Sequence, residues 1–299
     1  MLDNSRLLED SWLRWSADTI EEAKVAIMGI PFDNAVSFKK GAAFAPEKIR
    51  ELSVELSDVA DDFIPIKDGV LYDIGDILPE LNWENYFADV KERALDLMQS
   101  GKFCLFIGGD HSVTIPLHKA FGEANKGKKI GIIHFDAHFD LCKEYDGHKW
   151  SHACTEARAL DDVISGDDLF FIGVRVAELQ ELDMLKENPG IRNITPAQLE
   201  KMGTEAAFDE LFDAFKDYDA IYLTLDIDVL DPAYAPGTGT PVSGGISSRQ
   251  FIDLTRLILD RLPVKAMDIV EVAPPIDIND ITSWAALRII HQVFTRFSK

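Results

Sequence analysis

The chain has few cysteines and no long apolar run. Its 299 residues include 3 cysteines, at Cys104, Cys142 and Cys154. An odd number without C-x-x-C spacing argues against a disulfide framework and favours a reducing compartment. No apolar run approaches the ~18 residues that cross a membrane, and the first residues lack the basic start and apolar core of a secretion signal. We therefore expect a cytoplasmic protein without a membrane segment.

Basic residues are also scarce. Lysine and arginine number 30 against 52 aspartates and glutamates, which gives a formal net charge of -22. Such a chain repels phosphate backbones, so nucleic-acid binding is disfavoured. Its negative field attracts metal ions and small cations. Solubility or adaptation of the surface to the host also produces this composition, so the charge alone identifies no partner.

Strand-like and helix-like segments alternate along the chain. Short apolar runs of strand length cover residues 24–30, 69–74, 103–107, 130–135, 169–174, 220–225 and 264–270. Helix-like stretches cover residues 45–57, 83–100, 111–122, 152–162, 178–187, 196–216, 248–261 and 281–297. This alternation predicts a mostly parallel sheet covered by helices on both faces. No linker, repeat or low-complexity segment divides the chain, so we expect one domain over residues 1–299.

Four of these apolar runs are followed at once by residues that bind metals in other proteins. The segments are Gly108-Gly-Asp110-His111, Asp136-Ala-His138-Phe-Asp140, Asp226-Ile-Asp228 and Glu271-Val-Ala-Pro. The carboxyl ends of parallel strands meet at one edge of a sheet, where ligands bind. On an extended backbone, Asp226 and Asp228 would point the same way. Two carboxylates held this close repel each other unless a cation lies between them.

The number of candidate ligands indicates more than one ion. Two imidazoles and four carboxylates are present: His111, Asp136, His138, Asp140, Asp226 and Asp228. One ion seldom recruits four acids, whereas two divalent ions sharing bridging carboxylates would. Carboxylate-rich sites suit Mg, Ca or Mn, and imidazole adds affinity for transition metals, so manganese fits best. The lack of cysteine argues against a structural zinc site. An Asp- and His-rich surface edge without metal is the alternative.

These motifs resemble the metal motifs of the ureohydrolase (arginase/agmatinase) family. Further stretches resemble its agmatinase branch, in family order and spacing: Gly29-Ile-Pro-Phe-Asp33, Ala45-Pro-Glu-Lys-Ile-Arg50, Gly173-Val-Arg175, Ala235-Pro-Gly-Thr-Gly-Thr-Pro241 and Asp268-Ile-Val-Glu271-Val-Ala-Pro-Pro275. The resemblance implies an α/β fold, a three-layer αβα sandwich with a mostly parallel, eight-stranded sheet. It also implies two Mn²⁺ per chain and hydrolysis of a guanidinium group to urea and an amine.

The resemblance assigns roles to individual residues. By motif, His111 and Asp140 would bind one ion and His138 and Asp228 the other, with Asp136 and Asp226 bridging. A hydroxide held between the ions would attack the guanidinium carbon. Glu271 would hold the planar guanidinium through a charge-assisted pair. His152 matches the family's loop histidine, which would move protons between solvent and the centre.

Two departures bear on the substrate. After His152 the chain reads Ala-Cys-Thr-Glu156-Ala-Arg158, where bacterial agmatinases tend to have Gly and a Phe-Arg-Arg-like run. The variant here is closer to archaeal members. The Ser-Gly-Asn-Leu-His-Gly loop with which arginases contact an α-amino acid is missing, which favours a small cationic guanidino substrate without a carboxylate. Agmatine, cleaved to putrescine and urea, is therefore expected, by a homo-oligomer (a trimer or hexamer by analogy).

Other activities stay open at this point. A guanidinobutyrase or an arginase would use the same centre, whereas a zinc-dependent amide hydrolase of the related deacetylase group would hold one zinc with fewer acids. A non-catalytic homologue that binds metal or polyamine is a further alternative. Cys154 beside His152 also allows a Cys–His nucleophile. His134, inside a strand, is interpreted as a supporting histidine rather than a ligand, and Asp110 as a residue that orients a ligand.

Overall fold

The computed structural model describes residues 11–12, 15–60 and 63–299. Its centre is an eight-stranded sheet with the spatial order β2-β1-β3-β8-β7-β4-β5-β6, in which every neighbouring pair is parallel. The strands are β1 (Val25–Gly29), β2 (Leu71–Asp76), β3 (Phe103–Ile107), β4 (Ile130–Phe135), β5 (Leu169–Ile172), β6 (Arg192–Ile194), β7 (Ala220–Asp226) and β8 (Val264–Val270). The predicted parallel, eight-stranded sheet is confirmed.

Helices cover both faces of the sheet. In the described ranges they are α1 (Ala45–Ser53), α2 (Trp83–Gln99), α3 (Thr114–Ala124), α4 (Thr155–Asp162), α5 (Leu179–Glu187), α6 (Pro196–Met202), α7 (Thr204–Phe215), α8 (Ser248–Arg261) and α9 (Ile281–Ser298). Alternate residues along the strands point to opposite faces of the sheet and belong to two separate hydrophobic cores. Leu223 packs with α1 and α6 to α9, whereas Tyr222 packs with α2 to α5. This is the predicted three-layer sandwich. None of the helices described combines the length and the apolar character needed to cross a bilayer.

The structure corrects several predicted boundaries. The sequence pattern does not predict strand β6, because only Ile194 of its three residues is buried. The helix predicted over 196–216 is two helices, because Gly203 adopts a φ of 83° between α6 and α7. The helix predicted over 45–57 ends at Ser53. The helices predicted from 111 and 152 both begin with a 3-10 turn, so His111 and His152 precede the regular helices.

A buried ion pair joins α1 to β2. The guanidinium of Arg50 donates to both carboxylate oxygens of Asp73, at 2.7 and 2.9 Å, and to Asp76 at 2.5 Å. The Arg50 side chain is fully buried. Replacing it removes the cation from two carboxylates that the fold keeps out of water.

We expect Arg50→Met to lower the free energy of unfolding by about 3–5 kcal/mol, the cost of leaving a buried charge without its partner. Urea denaturation measures this loss. Arg249→Met is the matched control, since Arg249 pairs with Asp253 on the surface with its side chain 57% exposed, and we expect it to cost less than about 1 kcal/mol. Equal losses in the two variants would contradict the interpretation.

Candidate metal centre

The four motif-bearing strands are the four central neighbours of the sheet. Strands β3, β8, β7 and β4 lie side by side in that order. Since they are parallel, their carboxyl ends meet at one edge, and the four acidic motifs meet there. Residues far apart in sequence thereby form two adjoining groups of side chains that could bind metal ions.

The first group surrounds the ring of His111. Its Nδ1 lies 3.1 Å from Oδ2 of Asp136, 3.1 Å from Oδ2 of Asp140 and 3.3 Å from Oδ2 of Asp226. All four side chains are buried. None of these oxygens is aligned for a hydrogen bond, and Nδ1 has no hydrogen-bond partner among the described residues. A buried ring nitrogen facing three carboxylates is the arrangement expected of a metal ligand.

The second group surrounds His138. Its Nδ1 lies 3.2 Å from Oδ1 of Asp136 and 3.2 Å from Oδ2 of Asp228. Potential ligand atoms of Asp136, His138 and Asp228 all lie within 4.8 Å of one another. Asp136 therefore faces one group with Oδ2 and the other with Oδ1, as a carboxylate shared by two ions would.

Asp226 and Asp228 reach the site by different routes. Strand β7 ends at Asp226, and Asp228 belongs to a 3-10 turn, so the expectation that both project from one extended backbone is wrong. Oδ1 of Asp226 accepts a hydrogen bond from the backbone N–H of Asp228 at 2.8 Å. With Oδ1 engaged in this way, only Oδ2 of Asp226 faces His111. Its bridging role stays a prediction.

Two of the acids adopt a strained backbone. Asp140 and Glu271 have φ values of 53° and 61°, in the left-handed region that residues other than glycine seldom adopt. The backbone N–H groups of Glu156 and Ala157, at the start of α4, donate to the carbonyl oxygen of Asp140 at 3.0 and 3.2 Å. Strain of this kind costs about 1–3 kcal/mol and clusters at functional sites.

The concentration of acids changes the proton affinities in the site. Burial, together with the charges of Asp228 and Asp136, raises the pKa of Asp226 well above its ordinary value. Burial lowers the pKa of His111, but the carboxylates around it raise that pKa further, to well above the ordinary value. The site therefore attracts positive charge. Divalent cations supply that charge, and carboxylate oxygens with imidazole nitrogens are ligands that suit them. The residues present fit the predicted two-ion centre.

His152 and Glu271 form a pair beside the metal groups. Oε1 of Glu271 accepts from the backbone N–H of His111 at 2.9 Å and lies 3.1 Å from Nδ1 of His152. Nε2 of His152 lies 2.9 Å from the hydroxyl oxygen of Ser37 and accepts a hydrogen bond from the backbone N–H of Ser37 at 3.1 Å. That N–H can only donate, which favours a neutral ring. Burial also lowers the pKa of His152, whereas the hydrogen bond to Glu271 and the charge of Glu271 raise it, to about 9.

A cavity of about 280 Å³ opens onto this site. Its lining includes His138, His152 and the carboxylates of Asp140, Glu178, Glu181 and Asp226. No lysine or arginine of the described chain lines it. Glu271 does not line the cavity, but its Oε1 lies 3.1 Å from Nδ1 of His152, which does. The cavity therefore suits a cation of small size.

Gly109 and Asp110 connect the loop after β1 to the site. A Cβ on Gly109 would lie 1.7 Å from the carbonyl oxygen of Phe32, so only glycine allows this close approach. Asp110 accepts from the backbone N–H of Ala35 at 2.8 Å and from an N–H of the turn that begins at His111, at 3.0 Å. Asp110 orients the turn that carries His111 and does not touch the ring.

His134 supports the site from within β4. Its Nε2 lies 2.8 Å from Oδ2 of Asp136 and its Nδ1 lies 2.7 Å from Oε1 of Glu156. It is close enough to His111 and Asp136 to be counted with the first metal group. Unlike Nδ1 of His111, both ring nitrogens of His134 are aligned for hydrogen bonds to these carboxylates, so neither is free to bind an ion. The interpretation of His134 as a supporting residue agrees with this geometry.

Sequence reasoning overlooked three polar residues of the site. In the sequence, Glu156 marks only a departure from the usual motif, Thr224 falls inside an apolar strand, and Asp268 belongs to a family-like stretch without an assigned role. All three are fully buried. A polar residue inside an otherwise apolar strand, as in Tyr-Leu-Thr224-Leu and Ala-Met-Asp268-Ile, is the signal that could have identified two of them. The Cys–His alternative has no support, since burial raises the pKa of the Cys154 thiol to about 12.

Comparison with known proteins places the chain among enzymes. The model described as "Arginase family" matches residues 23–295. The agmatinase of Bacillus anthracis is 35% identical over 291 residues, 95% of each chain. The agmatine ureohydrolase of Thermoplasma volcanium superimposes with a TM-score of 0.85, 29% identity and 98% coverage of each chain. The proclavaminate amidino hydrolase of Streptomyces clavuligerus superimposes with a TM-score of 0.87, at 29% identity and with 97% of each chain covered.

Fold, site and relatives together define a ureohydrolase, an enzyme that hydrolyses carbon–nitrogen bonds of guanidino compounds. The family uses a binuclear metal site, and the cluster of histidines and aspartates described above could hold one. With a match that spans most of its length, the chain belongs to the arginase family.

Proposed function

We propose that the chain is an agmatinase, which hydrolyses agmatine to putrescine and urea with two Mn²⁺ per chain. The observation that carries the proposal is the cavity, which brings together two metal-binding groups and a lining with carboxylates but no lysine or arginine among the described residues. Agmatine is cationic at both ends and has no carboxylate. Arginine and guanidinobutyrate carry a carboxylate that this lining would repel.

The residues have distinct tasks in this reaction. His111 and Asp140 would hold one ion and His138 and Asp228 the other, with Asp136 and Asp226 between them. When bound, divalent ions lower the pKa of water and supply a nucleophile at neutral pH. The remaining steps, binding the guanidinium and moving protons, belong to side chains outside this set.

Glu271 and His152 are suited to those steps. Oε1 of Glu271 is occupied by the N–H of His111, which leaves Oε2 to accept a hydrogen bond from the planar guanidinium. His152 lines the cavity and contacts Glu271, and its raised pKa keeps the second ring proton on His152 at neutral pH. That proton can pass to the amine that leaves, and solvent can restore it.

Urea release tests the substrate directly. Metal-stripped protein would be reloaded with Mn²⁺ and given agmatine, 4-guanidinobutyrate and arginine in separate reactions. We expect urea chiefly from agmatine. No urea from agmatine would overturn the proposal, and one tightly bound zinc per chain would favour the amide-hydrolase alternative instead. Agmatine that binds to the Mn-loaded protein without turnover would indicate a non-catalytic homologue.

We expect His152→Asn to lower kcat by about 10²–10⁴-fold, the usual contribution of a positioned acid or base, with metal content unchanged. In the wild type, activity should fall as pH rises through about 9, the pKa of His152, because the ring then loses the proton it donates. A pH profile of kcat measures both effects.

His148→Asn is the control for this variant, since His148 is an exposed histidine of the same loop. It should behave as the wild type does. If His152→Asn keeps the wild-type kcat and pH profile, another group delivers the proton.

The single domain over residues 1–299, the cytoplasmic location and the homo-oligomeric state are further proposals. They are supported by the sequence and the family resemblance alone.

A further inference from the structure

A row of polar side chains crosses the sheet just before the strand ends. In the strand register, His134 of β4 pairs with Thr224 of β7, and Thr224 pairs with Asp268 of β8. All three are fully buried, on the sheet face that packs against α2 to α5. Polar groups in such a core cost free energy unless they are hydrogen-bonded, so each proton in the row can be assigned to a partner.

Asp268 accepts hydrogen bonds on both of its carboxylate oxygens. Its Oδ2 accepts from the hydroxyls of Tyr222 and Thr114, both at 2.8 Å, and its Oδ1 accepts from the hydroxyl of Thr224 at 2.7 Å. An ionised carboxylate can only accept hydrogen bonds. The one hydroxyl proton of Thr224 is therefore directed to Asp268.

The ring of His111 lies next to Thr224 in this row. Its Nε2 lies 2.9 Å from the hydroxyl oxygen of Thr224. Because the proton of Thr224 is already given to Asp268, this oxygen can only accept from His111. Nε2 thus carries a hydrogen. In the neutral ring that a metal ion requires, this leaves the lone pair on Nδ1, the atom that faces the three carboxylates of the first metal group.

We propose that Thr224 and Asp268 are positioning residues that hold His111 as the Nε2–H tautomer and direct its Nδ1 lone pair into the metal site. Neither residue touches the cavity. Metal-binding histidines generally give their second N–H to such a partner, and loss of that partner typically weakens metal binding by about 10–100-fold. The inference rests on the proposed metal centre but not on the identity of the substrate.

The test compares substitutions at one position. Thr224→Val removes the acceptor and preserves the shape, whereas Thr224→Ser keeps the hydroxyl. Thr255→Val is the matched control, since Thr255 is a fully buried threonine of α8 whose hydroxyl has no partner in the described part of the chain. Mn²⁺ affinity would be measured by chelator competition without substrate. We expect about 10–100-fold weaker binding for Thr224→Val, and affinity within about threefold of wild type for the other two variants.

A spectroscopic readout separates tautomer control from a general structural role. In wild-type protein loaded with diamagnetic Zn²⁺ and labelled with ¹⁵N-histidine, the His111 ring should show a hydrogen-bonded Nε2–H signal, assigned by its absence in His111→Asn. The Thr224→Ser protein should retain this signal. In Thr224→Val the Nε2–H of His111 should no longer be protected from exchange with solvent. If Thr224→Val does not fold, as judged by circular dichroism, Thr224→Ala makes the same test.

Wild-type Mn²⁺ affinity in folded Thr224→Val, or a His111 ring with its proton on Nδ1 in the zinc-loaded protein, would overturn the inference. Failure of the proposed function has a different signature. Absence of urea from agmatine, with Thr224→Val still weakening Mn²⁺ binding, would overturn the agmatinase proposal and leave the role of Thr224 intact.

Discussion

Replacing Asp136 by asparagine is expected to reduce urea release from agmatine by at least about 10³-fold, beyond the 10–100-fold typical of residues that only support a metal ligand. The reason is geometric. Oδ2 of Asp136 faces His111 and Oδ1 faces His138, at 3.1 and 3.2 Å, so one substitution removes a charged oxygen from both metal groups. No other acid of the described site turns one carboxylate oxygen towards each of the two histidines.

Elemental analysis of the purified variant gives the accompanying measurement. We expect the bound manganese to fall from about two per chain to less than one, because the sites of both ions lose negative charge from a carboxylate that they share. Asp146→Asn is the control, since Asp146 is an exposed acid in the nearby loop. If Asp136→Asn retained two ions and normal turnover, Asp136 would not bridge them.

Glu271→Gln is expected to lower kcat/KM for agmatine by about 10²–10³-fold, or about 3–4 kcal/mol at 1.4 kcal/mol for each factor of ten. Glutamine retains an oxygen that can accept from the N–H of His111, so the local backbone should survive. It replaces Oε2 with an amide that donates, however, and a guanidinium also only donates. The charge-assisted pair is then lost without a change in shape.

Metal content separates this effect from damage to the centre. It should stay at the wild-type level in Glu271→Gln, and the activity loss should follow the substrate. The substitution also removes the charge that raises the pKa of His152 to about 9, so the alkaline limb of the pH profile should move down towards 6.5, the ordinary value for histidine. Loss of bound manganese would instead place Glu271 among the groups that hold the ions.

The position of the site could be predicted from the sequence because parallel strands impose it. Apolar runs such as the one before Asp136 are long enough to be buried strands, and their carboxyl ends share one edge of the sheet. Motifs separated by over a hundred residues were therefore expected to meet. The residue types, imidazole and carboxylate without cysteine, then indicated the chemistry.

The details that depend on exact pairing could not be predicted. Which strands are neighbours decides that Thr224 lies beside both His134 and Asp268, and no local pattern encodes that order. The 3-10 turn after Asp226 likewise depends on a hydrogen bond that the backbone N–H of Asp228 donates to the side chain of Asp226. Short elements with one buried residue, such as β6, leave too little periodicity to detect.

Glu156 shows how a departure from a motif gains meaning only in three dimensions. In sequence it marks a difference in the loop after His152. In the structure its carboxylate lies 2.7 Å from His134, whose other nitrogen lies against Asp136. The residue thus supports the shared carboxylate of the metal centre from behind the sheet edge, not the substrate pocket as its position in the loop had suggested.

Anomalous diffraction at the manganese edge, from crystals of the Mn-loaded protein, would show whether the chain binds a pair of ions at this edge of the sheet. We expect two peaks in each chain, one between His111 and Asp140, the other between His138 and Asp228, with Asp136 in contact with both. A single peak, a peak elsewhere, or no manganese signal at this edge of the sheet would contradict this expectation.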